Sequence, residues 1–230
     1  MADILDFGIT PLDELMPQSL RQELTKAAVT RLYKDGELIH ARGDRKPGLS
    51  IIRSGAVRLC NFGADGSAIT TAVLGRGQVF GEFTLLTDLP RTHDAIAVGR
   101  TAVDQVSKSA FEALAVREPD LMRILAGSTA RRLHAMLELL DDFRRLPLPV
   151  LTAKILLGMS LRSGEGGAVE CSQADLAVTL GVSRVSIGKV LKRLQADGLI
   201  VRRYGRIDIP DVDSLKTWIA ERDYLFRFDE

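Results

Sequence analysis

The 230-residue chain is long enough for two domains, and its 46% hydrophobic and 27% charged residues are ordinary for a soluble globular protein. A formal net charge of +1 excludes a global attraction to nucleic acid or acidic membranes, so such a partner would need a local patch. Two cysteines are too few for a four-cysteine iron–sulfur cluster, and no apolar run approaches the roughly 18 residues that cross a bilayer. The N-terminus carries acids where a signal peptide has a basic start. We therefore predict a soluble, cytoplasmic protein without a membrane partner.

Residues 1 to about 30 predict short helices, because leucines recur at helical spacing around Pro11 and Pro17. From about 32 to 107 the apolar period changes. Short runs such as LSIIR, AVRLC, AITTAVL and AVDQV are separated by glycine turns such as DG, SG and GRG. Strand runs punctuated this closely predict an antiparallel barrel or sandwich.

The stretch GEFTLLTDLPRTHDA, residues 81–95, places a glycine, a carboxylate and a guanidinium around one short loop. Two interpretations are open. Glu82 and Arg91 can line a pocket for a phosphorylated sugar, since a charge-assisted contact to a phosphate oxygen is among the stronger hydrogen bonds. Alternatively, Glu82 pairs with Arg91 or with Arg132 and only holds the β-domain together.

From about 109 to 145 the period becomes helical, with a break at Pro119 before a long helix. One stripe on that helix recurs at alternating steps of four and three, a heptad-like seam suited to pairing with a second copy. This stripe consists of Leu125, Thr129, Arg132, Met136, Leu139 and Phe143. Alternatively, this first stripe packs on the chain's own barrel, but a second stripe, Leu133, Leu137 and Leu140, can do that instead. Because two stripes on one helix favour two packing partners, we predict a homodimer. The sequence LPLP (146–149) then predicts a joint, with a new helix starting near Pro149.

The segment SQADLAVTLGVSRVSIGKVLKRLQADGLIVRRYGRIDI predicts a winged helix-turn-helix. Ala177, Gly181 and Ile187 stand at relative positions 5, 9 and 15 of that pattern. These positions need a small residue where the helices cross, a positive-φ turn, and an apolar plug between the helices. Ser183 is predicted to cap the second helix, and the residues after ADGLI are predicted to form a two-stranded wing.

Positive charge is concentrated in this segment. Residues 172–206 contain seven basic and two acidic residues, so the rest of the chain is net acidic. Lysine and arginine contacts to phosphates supply most sequence-independent affinity for DNA. Because the turn, the cap, the wing and the charge coincide, we predict that this segment binds DNA.

In chain order, the motifs YKDGELI, SGAVRL, LGRGQVFGE, PRT, ARRL and SRVSIGKVLKRLQADGLI resemble the CRP/FNR superfamily of bacterial transcription regulators, across essentially the whole chain. The resemblance implies an α+β fold. It comprises a cyclic-nucleotide-binding-type β-roll (jelly roll) sensor at 1–118, a long dimerisation helix at 119–146, and a winged helix-turn-helix DNA-binding domain at 147–230. It further implies an allosteric homodimer that binds double-stranded DNA at a pseudo-palindromic operator, with RNA polymerase as another partner.

The resemblance makes residues 81–95 a phosphate-binding cassette for a cyclic nucleotide, cyclic AMP or cyclic GMP. It implies that Gly81 cradles the cyclic phosphate, that Glu82 accepts from the ribose 2′-hydroxyl, and that Arg91 and Thr92 bind the phosphate. Arg132 would reach toward the ribose and Glu82. The implied effector-binding residues are Gly81, Glu82, Phe83, Arg91, Thr92, Arg132 and Met136.

The cassette departs from the family pattern at several positions. Phe83 and Thr84 stand where leucine and a small residue are usual, and His93 follows Arg91-Thr92 where a small apolar residue is expected. Met136 and Leu137 occupy the positions at which cyclic-AMP-binding members read adenine with a polar pair. The phosphate half of the site is therefore nearly intact, whereas the base half is rewritten. A different effector, or none, remains an alternative.

On the second helix of the helix-turn-helix, Arg184 matches the arginine that reads guanine in the family, where a bidentate contact to O6 and N7 is favoured. Val185 replaces a glutamate that accepts from cytosine, and valine can instead touch a thymine methyl. Ser172 and Gln173 resemble phosphate contacts. The DNA-binding residues assigned in this way are Ser172, Gln173, Ser183, Arg184, Val185, Ser186, Lys189, Arg202 and Arg206.

Two further classes of function are a haem or metal sensor and an enzyme. Relatives in the superfamily carry haem or iron–sulfur clusters, and His40, His93 or His134 could in principle ligate haem or a metal, although lone histidines are more often surface or core residues. An enzyme would need a catalytic motif, and the sequence contains no Ser-His-Asp arrangement, HExxH, P-loop or paired carboxylates. We therefore expect no metal cofactor and no enzymatic activity.

Overall fold

The computed structural model describes residues 10–63, 68–87, 89–163 and 167–223, except for the side chains of residues 162 and 163. The chain divides into two compact units, with the boundary between Ala135 and Met136. We call the described residues up to 135 the sensor unit and those from 136 onward the DNA-head unit. Within the described ranges, every helix is too short or too polar to span a bilayer.

The sensor unit opens with two short helices, α1 (Leu12–Leu15) and α2 (Gln18–Lys26). A proline precedes each helix, where the missing N–H removes no helical hydrogen bond. Leu12, Leu20 and Leu24 are almost completely buried. The prediction of short helices is therefore confirmed from residue 10 onward, and residues 1–9 lie outside the described residues.

Six strands of the sensor unit form one antiparallel sheet. They are β1 (Val29–Tyr33), β2 (Leu38–His40), β3 (Gly48–Phe62), β4 (Ala68–Leu74), β5 (Val79–Phe80) and β6 (Asp94–Ser107). The long strands β3 and β6 pair with each other, and register shifts around Ser54 interrupt their ladder. Such irregularities bend a strand, which suits a roll better than a flat sheet. The remaining pairs are β1 and β2 with β6, and β4 and β5 with β3.

Two hydrophobic clusters stabilise the sensor unit. One lies among the strands and includes Ile52, Val57 and Val103, each at most 1% exposed. The other joins α1 and α2 to helix α4 (Lys108–Arg117) and to the start of helix α5 (Asp120–Arg145). A short helix α3 (Glu82–Leu86) follows β5 and leads into the loop before β6.

The predicted role of the second stripe on α5 was wrong, and that of the first stripe was wrong at Leu125. Leu125 is completely buried in the core of the sensor unit, so the stripe expected to meet a second copy begins inside the chain's own unit. Leu133, Leu137 and Leu140, expected to pack on the barrel, are 57%, 53% and 52% exposed. The first stripe contains Thr129 and Arg132 besides its apolar residues, and its Leu125 packs with Leu121 in the core of the sensor unit.

The exposed face of α5 carries a run of large apolar side chains that we call the α5 stripe. It consists of Leu133, Met136, Leu137, Leu140 and Phe143, which are 37–57% exposed. The positions 133, 136, 140 and 143 follow steps of three and four, so the exposed face also has heptad-like spacing.

The DNA-head unit contains helix α6 (Leu148–Ser163), which starts within the predicted joint. Its other elements are β7 (Ala168–Val169), α7 (Gln173–Thr179), α8 (Arg184–Ala196), β8 (Val201–Arg203), β9 (Arg206–Asp208) and α9 (Val212–Ala220). The three strands form a sheet in the order β7-β9-β8, and the hairpin β8–β9 is the predicted wing. The predicted winged helix-turn-helix is thus confirmed.

Four charged side chains bind the end of α5 to the rest of the DNA-head unit. The Asp142 carboxylate accepts from Arg145 Nη2 at 3.1 Å and from Lys154 Nζ at 2.8 Å. Arg145 Nη1 also donates to Asp223, and Lys154 Nζ lies 3.7 Å from the same carboxylate. Asp142 is only 6% exposed, so these contacts compensate the burial of its charge. The last turn of α5 is therefore fixed to α6 and to the segment after α9.

Candidate functional site

Gly81 allows an arginine side chain to lie directly against the backbone of the cassette. It follows β5 with φ +90°, a conformation that L side chains rarely adopt, and it precedes α3. A Cβ atom at this position would lie only 1.7 Å from Nη1 of Arg91. Any side chain at residue 81 would therefore displace the guanidinium.

The guanidinium of Arg91 is only partly satisfied by the chain. Its Nη2 donates to the carbonyl oxygens of Lys46, at 3.2 Å, and Gly48, at 3.4 Å. Its Nε and Nη1 are buried and have no hydrogen-bond partner among the described residues. Burial lowers the pKa of Arg91, while the charges of Glu82 and Asp44 oppose that shift. Buried N–H groups of this kind fit an anionic oxygen supplied from outside the chain, as a phosphate would provide.

The loop before β3 holds Arg91 in place through its backbone. The Gly43 N–H donates to the carbonyl of Arg91, and the Arg91 N–H donates to the carbonyl of Asp44, both at 2.9 Å. The Asp44 carboxylate in turn accepts from the Ala41 N–H at 3.0 Å. This contribution was not foreseen from the sequence, because carbonyl and N–H groups carry no residue-specific signal.

Glu82 is 2% exposed and pairs with Arg132 of α5. Arg132 Nη1 donates to Glu82 Oε1 at 2.7 Å, and its Nη2 donates to the Val79 carbonyl at 3.2 Å. Of the two ion pairs considered from the sequence, the structure therefore forms the one with Arg132. Glu82 thus pairs with Arg132, while its negative charge also opposes the lowering of the Arg91 pKa by burial.

The remaining sequence-predicted effector residues lie on exposed surfaces. Phe83 is 38% exposed on α3, and Met136 is 38% exposed on α5, one helical turn after Arg132. Thr92 is exposed, and its Oγ1 lies 2.9 Å from Nδ1 of His93. The structure thus brings Gly81, Glu82, Arg91 and Arg132 together.

Thr84, which departs from the family pattern, has a structural role within the cassette. It is 3% exposed, and its Oγ1 donates to the Gly81 carbonyl at 2.9 Å. This bond closes the first turn of α3. No cluster of three or more His, Cys, Asp or Glu side chains that could hold a metal occurs in the part of the chain that the structure describes.

The helix-turn-helix follows the steric rules expected from its sequence. Ala177 and Ile187 are 5% and 0% exposed, and Gly181 has φ +63° in the turn between α7 and α8. Ser183 caps α8, with its Oγ accepting from the Ser186 N–H at 3.0 Å. The cap leaves the first turn of α8 at the surface of the unit.

The exposed face of α8 presents the residues predicted to read bases. Arg184, Val185 and Lys189 are exposed, Val185 by 68%, and Ser186 is partly exposed. The opposite face of α8 is buried. Because a DNA major groove admits one α-helix, a helix with one polar exposed face and one buried face suits that contact.

Ser172 and Gln173 have partners within the DNA-head unit. Ser172 forms a capping box with Asp175, in which the Ser172 Oγ accepts from the Asp175 N–H at 3.1 Å. Gln173 Nε2 donates to the carbonyl of Arg184 and thereby links α7 to α8. A Cβ atom on Gly188 would lie 2.8 Å from that nitrogen, so glycine at residue 188 leaves room for the link. The predicted phosphate contact of these two residues stays a prediction.

The wing carries three arginines around a tight turn. Arg203 and Arg206 each donate from Nε to the Asp208 carboxylate at 2.5 Å. These two hydrogen bonds, with Arg206 first, hold the pKa of Asp208 below its usual range. The Arg202 N–H donates to Gln195 of α8 at 3.0 Å, which fixes the wing to that helix. The guanidinium groups are thus presented on one short hairpin.

Known protein families match both the N-terminal and the C-terminal domain of the chain. The sequence profile of the cyclic nucleotide-binding domain matches residues 30–118, and that of the Crp-like helix-turn-helix domain matches residues 152–218. The cyclic AMP receptor protein of Thermus thermophilus is 34% identical over 188 residues, which are 81% of this chain and 86% of that relative.

Two solved structures extend the comparison. The catabolite activator protein of Thermus thermophilus is 32% identical, with a TM-score of 0.53 over 92% of this chain and 99% of that chain. The c-di-GMP-responsive global regulator CLP of Xanthomonas campestris is 20% identical, with a TM-score of 0.71 over 85% and 100%. The second shows the shared fold alone. The chain accordingly belongs to the CRP/FNR family of transcription regulators, which combine an effector-binding domain with a helix-turn-helix head.

Proposed function

We propose that the chain is a homodimeric, sequence-specific DNA-binding regulator whose affinity for DNA is controlled by a cyclic nucleotide. The observation that carries the effector is Arg91, which presents two buried N–H groups without partners among the described residues. The neighbouring residues suit the rest of a cyclic ribose phosphate. Gly81 has no side chain to displace Arg91, and Glu82 is a buried carboxylate in a salt bridge with Arg132. The similarity to a cyclic AMP receptor protein supports the same conclusion.

The base of the nucleotide would meet a surface without the polar pair of cyclic-AMP-binding members. Met136 and Leu137 are exposed apolar residues at those positions. Cyclic AMP and cyclic GMP are therefore both candidates, with Phe83 and Met136 in apolar contact with the base and Thr92 as a donor to the phosphate. A c-di-GMP-responsive regulator shares this fold, so the fold alone does not select the nucleotide. The alternative is a regulator that uses a different effector or none.

On the DNA side, α8 would enter the major groove, with Arg184 on guanine and Val185 against a thymine methyl. Ser183, Ser186 and Lys189 would supply contacts beside them. The wing arginines Arg202 and Arg206, together with Ser172 and Gln173 at the start of α7, would bind phosphates. Two heads in one dimer would recognise a pseudo-palindrome with half-sites about one helical turn apart.

We assign a function to each domain predicted from the sequence. Residues 1–118 bind the effector, residues 119–146 form the dimer interface, and residues 147–230 bind DNA. Helix α5 supports a coupling between these roles, because it carries Arg132, which pairs with Glu82, and Arg145, which is bound to the DNA-head unit. An effector raises DNA affinity only as far as it favours the DNA-competent arrangement. From the family resemblance we add RNA polymerase as a partner, a cytoplasmic location and no enzymatic activity to the proposal.

DNA binding measured with and without effector tests this function directly. An operator selected from random duplexes should bind more tightly when cyclic AMP or cyclic GMP is present, by about 5- to 150-fold, the usual range of allosteric coupling. Fluorescence anisotropy of the labelled duplex gives the DNA affinity, and calorimetric titration gives the effector affinity. Equal DNA affinity in all conditions, together with no heat of nucleotide binding, would contradict the proposed effector.

The α5 stripe supports the homodimer, since five large apolar side chains at heptad-like spacing would be covered by the same stripe of a second copy. We expect the wild-type chain of 25.2 kDa to sediment at twice that mass at micromolar concentration. Leu137→Glu should shift it to the monomer, because a charge in the centre of an apolar helical interface is strongly unfavourable. Analytical ultracentrifugation provides the measurement.

Arg131→Glu is the matched control for this dimerisation test. It places the same carboxylate on α5 at an exposed position outside the stripe, and it should leave the dimer intact. A Leu137→Glu variant that remains dimeric, or a wild-type chain that is monomeric, would show that the stripe does not form the interface.

A further inference from the structure

A histidine lies in hydrogen-bond contact with the hydroxyl that the proposed effector site uses. Thr92 Oγ1 and His93 Nδ1 are 2.9 Å apart, directly after Arg91 in the chain. A hydroxyl has only one proton to donate. When Nδ1 carries no proton, Thr92 donates to it, and the hydroxyl proton is then not available to a ligand. When Nδ1 carries a proton, the ring donates to the threonine oxygen instead.

We propose that His93 is a positioning residue for the effector: its protonated ring donates from Nδ1 to Thr92 and thereby directs the Thr92 hydroxyl proton to a phosphate oxygen. The neutral ring can donate from Nδ1 to Thr92 in only one of its two tautomers, whereas the protonated ring always donates from Nδ1. This inference rests on the proposed function, and it adds that effector binding takes up a proton.

The burial of His93 and the charges around it determine how its pKa differs between the free and the effector-bound protein. Burial lowers the pKa of His93, the positive charge of Arg42 lowers it further, and the negative charge of Asp94 opposes both. Arg42 and Asp94 are themselves joined, since the Arg42 N–H donates to Asp94 Oδ1 at 2.8 Å. The ring of the free protein is therefore largely neutral at neutral pH. A phosphate anion bound beside Thr92 would favour the protonated ring and raise the pKa of His93.

The sign of the pH dependence follows from this shift. Because the bound state would have the higher pKa, affinity for the effector should increase as pH falls through that pKa, and it should level off below the pKa of the free protein. His40, on β2, does not titrate in the same range, since burial and then the charge of Arg91 lower its pKa to about 4. A cyclic phosphodiester also stays singly negative, so the ligand contributes no titration of its own.

Calorimetric titration with cyclic AMP and cyclic GMP tests the proposal. From about pH 8 to about pH 5.5 the dissociation constant should fall by about threefold to tenfold, the result of a pKa shift of up to about one unit. Near the middle of this range, buffers with different ionisation enthalpies should reveal proton uptake. In His93→Gln both effects should vanish while binding remains, because the glutamine side chain can occupy the site without titrating.

His134→Gln serves as the control, because it removes a histidine of α5 and should keep the pH dependence of the wild type. A wild-type affinity that is indifferent to pH, or a pH dependence that persists in His93→Gln, would overturn the role of His93 and leave the proposed effector untouched. Absence of binding to either nucleotide at every pH would overturn both proposals together.

Discussion

Replacing Arg91 with alanine is expected to weaken cyclic nucleotide binding by about 100-fold or more. Hydrogen bonds to charged groups contribute about 1.5–3 kcal/mol each, and Arg91 has two buried N–H groups, Nε and Nη1, that no described residue satisfies. The same two groups stabilise the free protein little, since they have no partners there. Arg91→Ala should therefore retain a cooperative thermal transition within a few degrees of the wild type.

Titration calorimetry with cyclic AMP and cyclic GMP gives the affinities, and circular dichroism gives the melting temperature. The matched control is Arg100→Ala, which removes an exposed arginine of β6 in the same unit. That variant should bind nucleotide as the wild type does. If Arg91→Ala binds nucleotide with unchanged affinity, then its guanidinium is not the phosphate ligand.

Replacing Arg184 with alanine is expected to abolish the preference for the operator while nonspecific DNA binding remains. A bidentate contact to guanine discriminates against the wrong base by about 1–3 kcal/mol, so each half-site should lose roughly 10- to 100-fold. The fold should persist, because the side chain is exposed and the Arg184 carbonyl that accepts from Gln173 is kept. Competition between operator and random duplex, measured by anisotropy at several salt concentrations, separates the two kinds of binding.

Lys216→Ala is the matched control for the DNA experiment. It removes a cation of α9 whose partner is Asp213, at 2.8 Å, and such surface pairs contribute little to stability. Operator preference should be unchanged in this variant. An Arg184→Ala protein whose operator preference equals that of the wild type would rule out the guanine contact.

The two halves of the chain differ in how much their sequences revealed. In the DNA-head unit, Ala177, Gly181 and Ile187 were assigned to a crossing, a turn and a plug, and burial and backbone angles agree at each. These assignments succeeded because each follows from a local steric requirement of one residue. The predicted cap by Ser183 is local in the same sense, whereas the cap by Ser172, a residue assigned to phosphate, was not predicted.

The sensor unit required contacts between residues far apart in sequence. The sequence left open whether Glu82 pairs with Arg91 or with Arg132, and the structure joins it to Arg132, 50 positions away. The carbonyls of Lys46 and Gly48 that hold Arg91 were not foreseen, because a backbone acceptor has no signature in the residue letters. The sequence thus indicated the side chains that the structure brings together around Arg91 and did not indicate its backbone partners.

Helix α5 illustrates the same limit most clearly. Its length and its break after Pro119 follow from the residue pattern, since helical periodicity and proline act locally. The residue pattern did not decide which side of α5 packs inward, and the assignment of Leu133, Leu137 and Leu140 to the barrel was wrong. The packing of Leu121 and Leu125 into the core of the sensor unit turns Leu133, Leu137 and Leu140 outward. Local chemistry therefore sufficed for element types, turns, caps and candidate ligands, whereas the partners of Arg91 and Glu82 and the free face of α5 arose from the packing of distant segments.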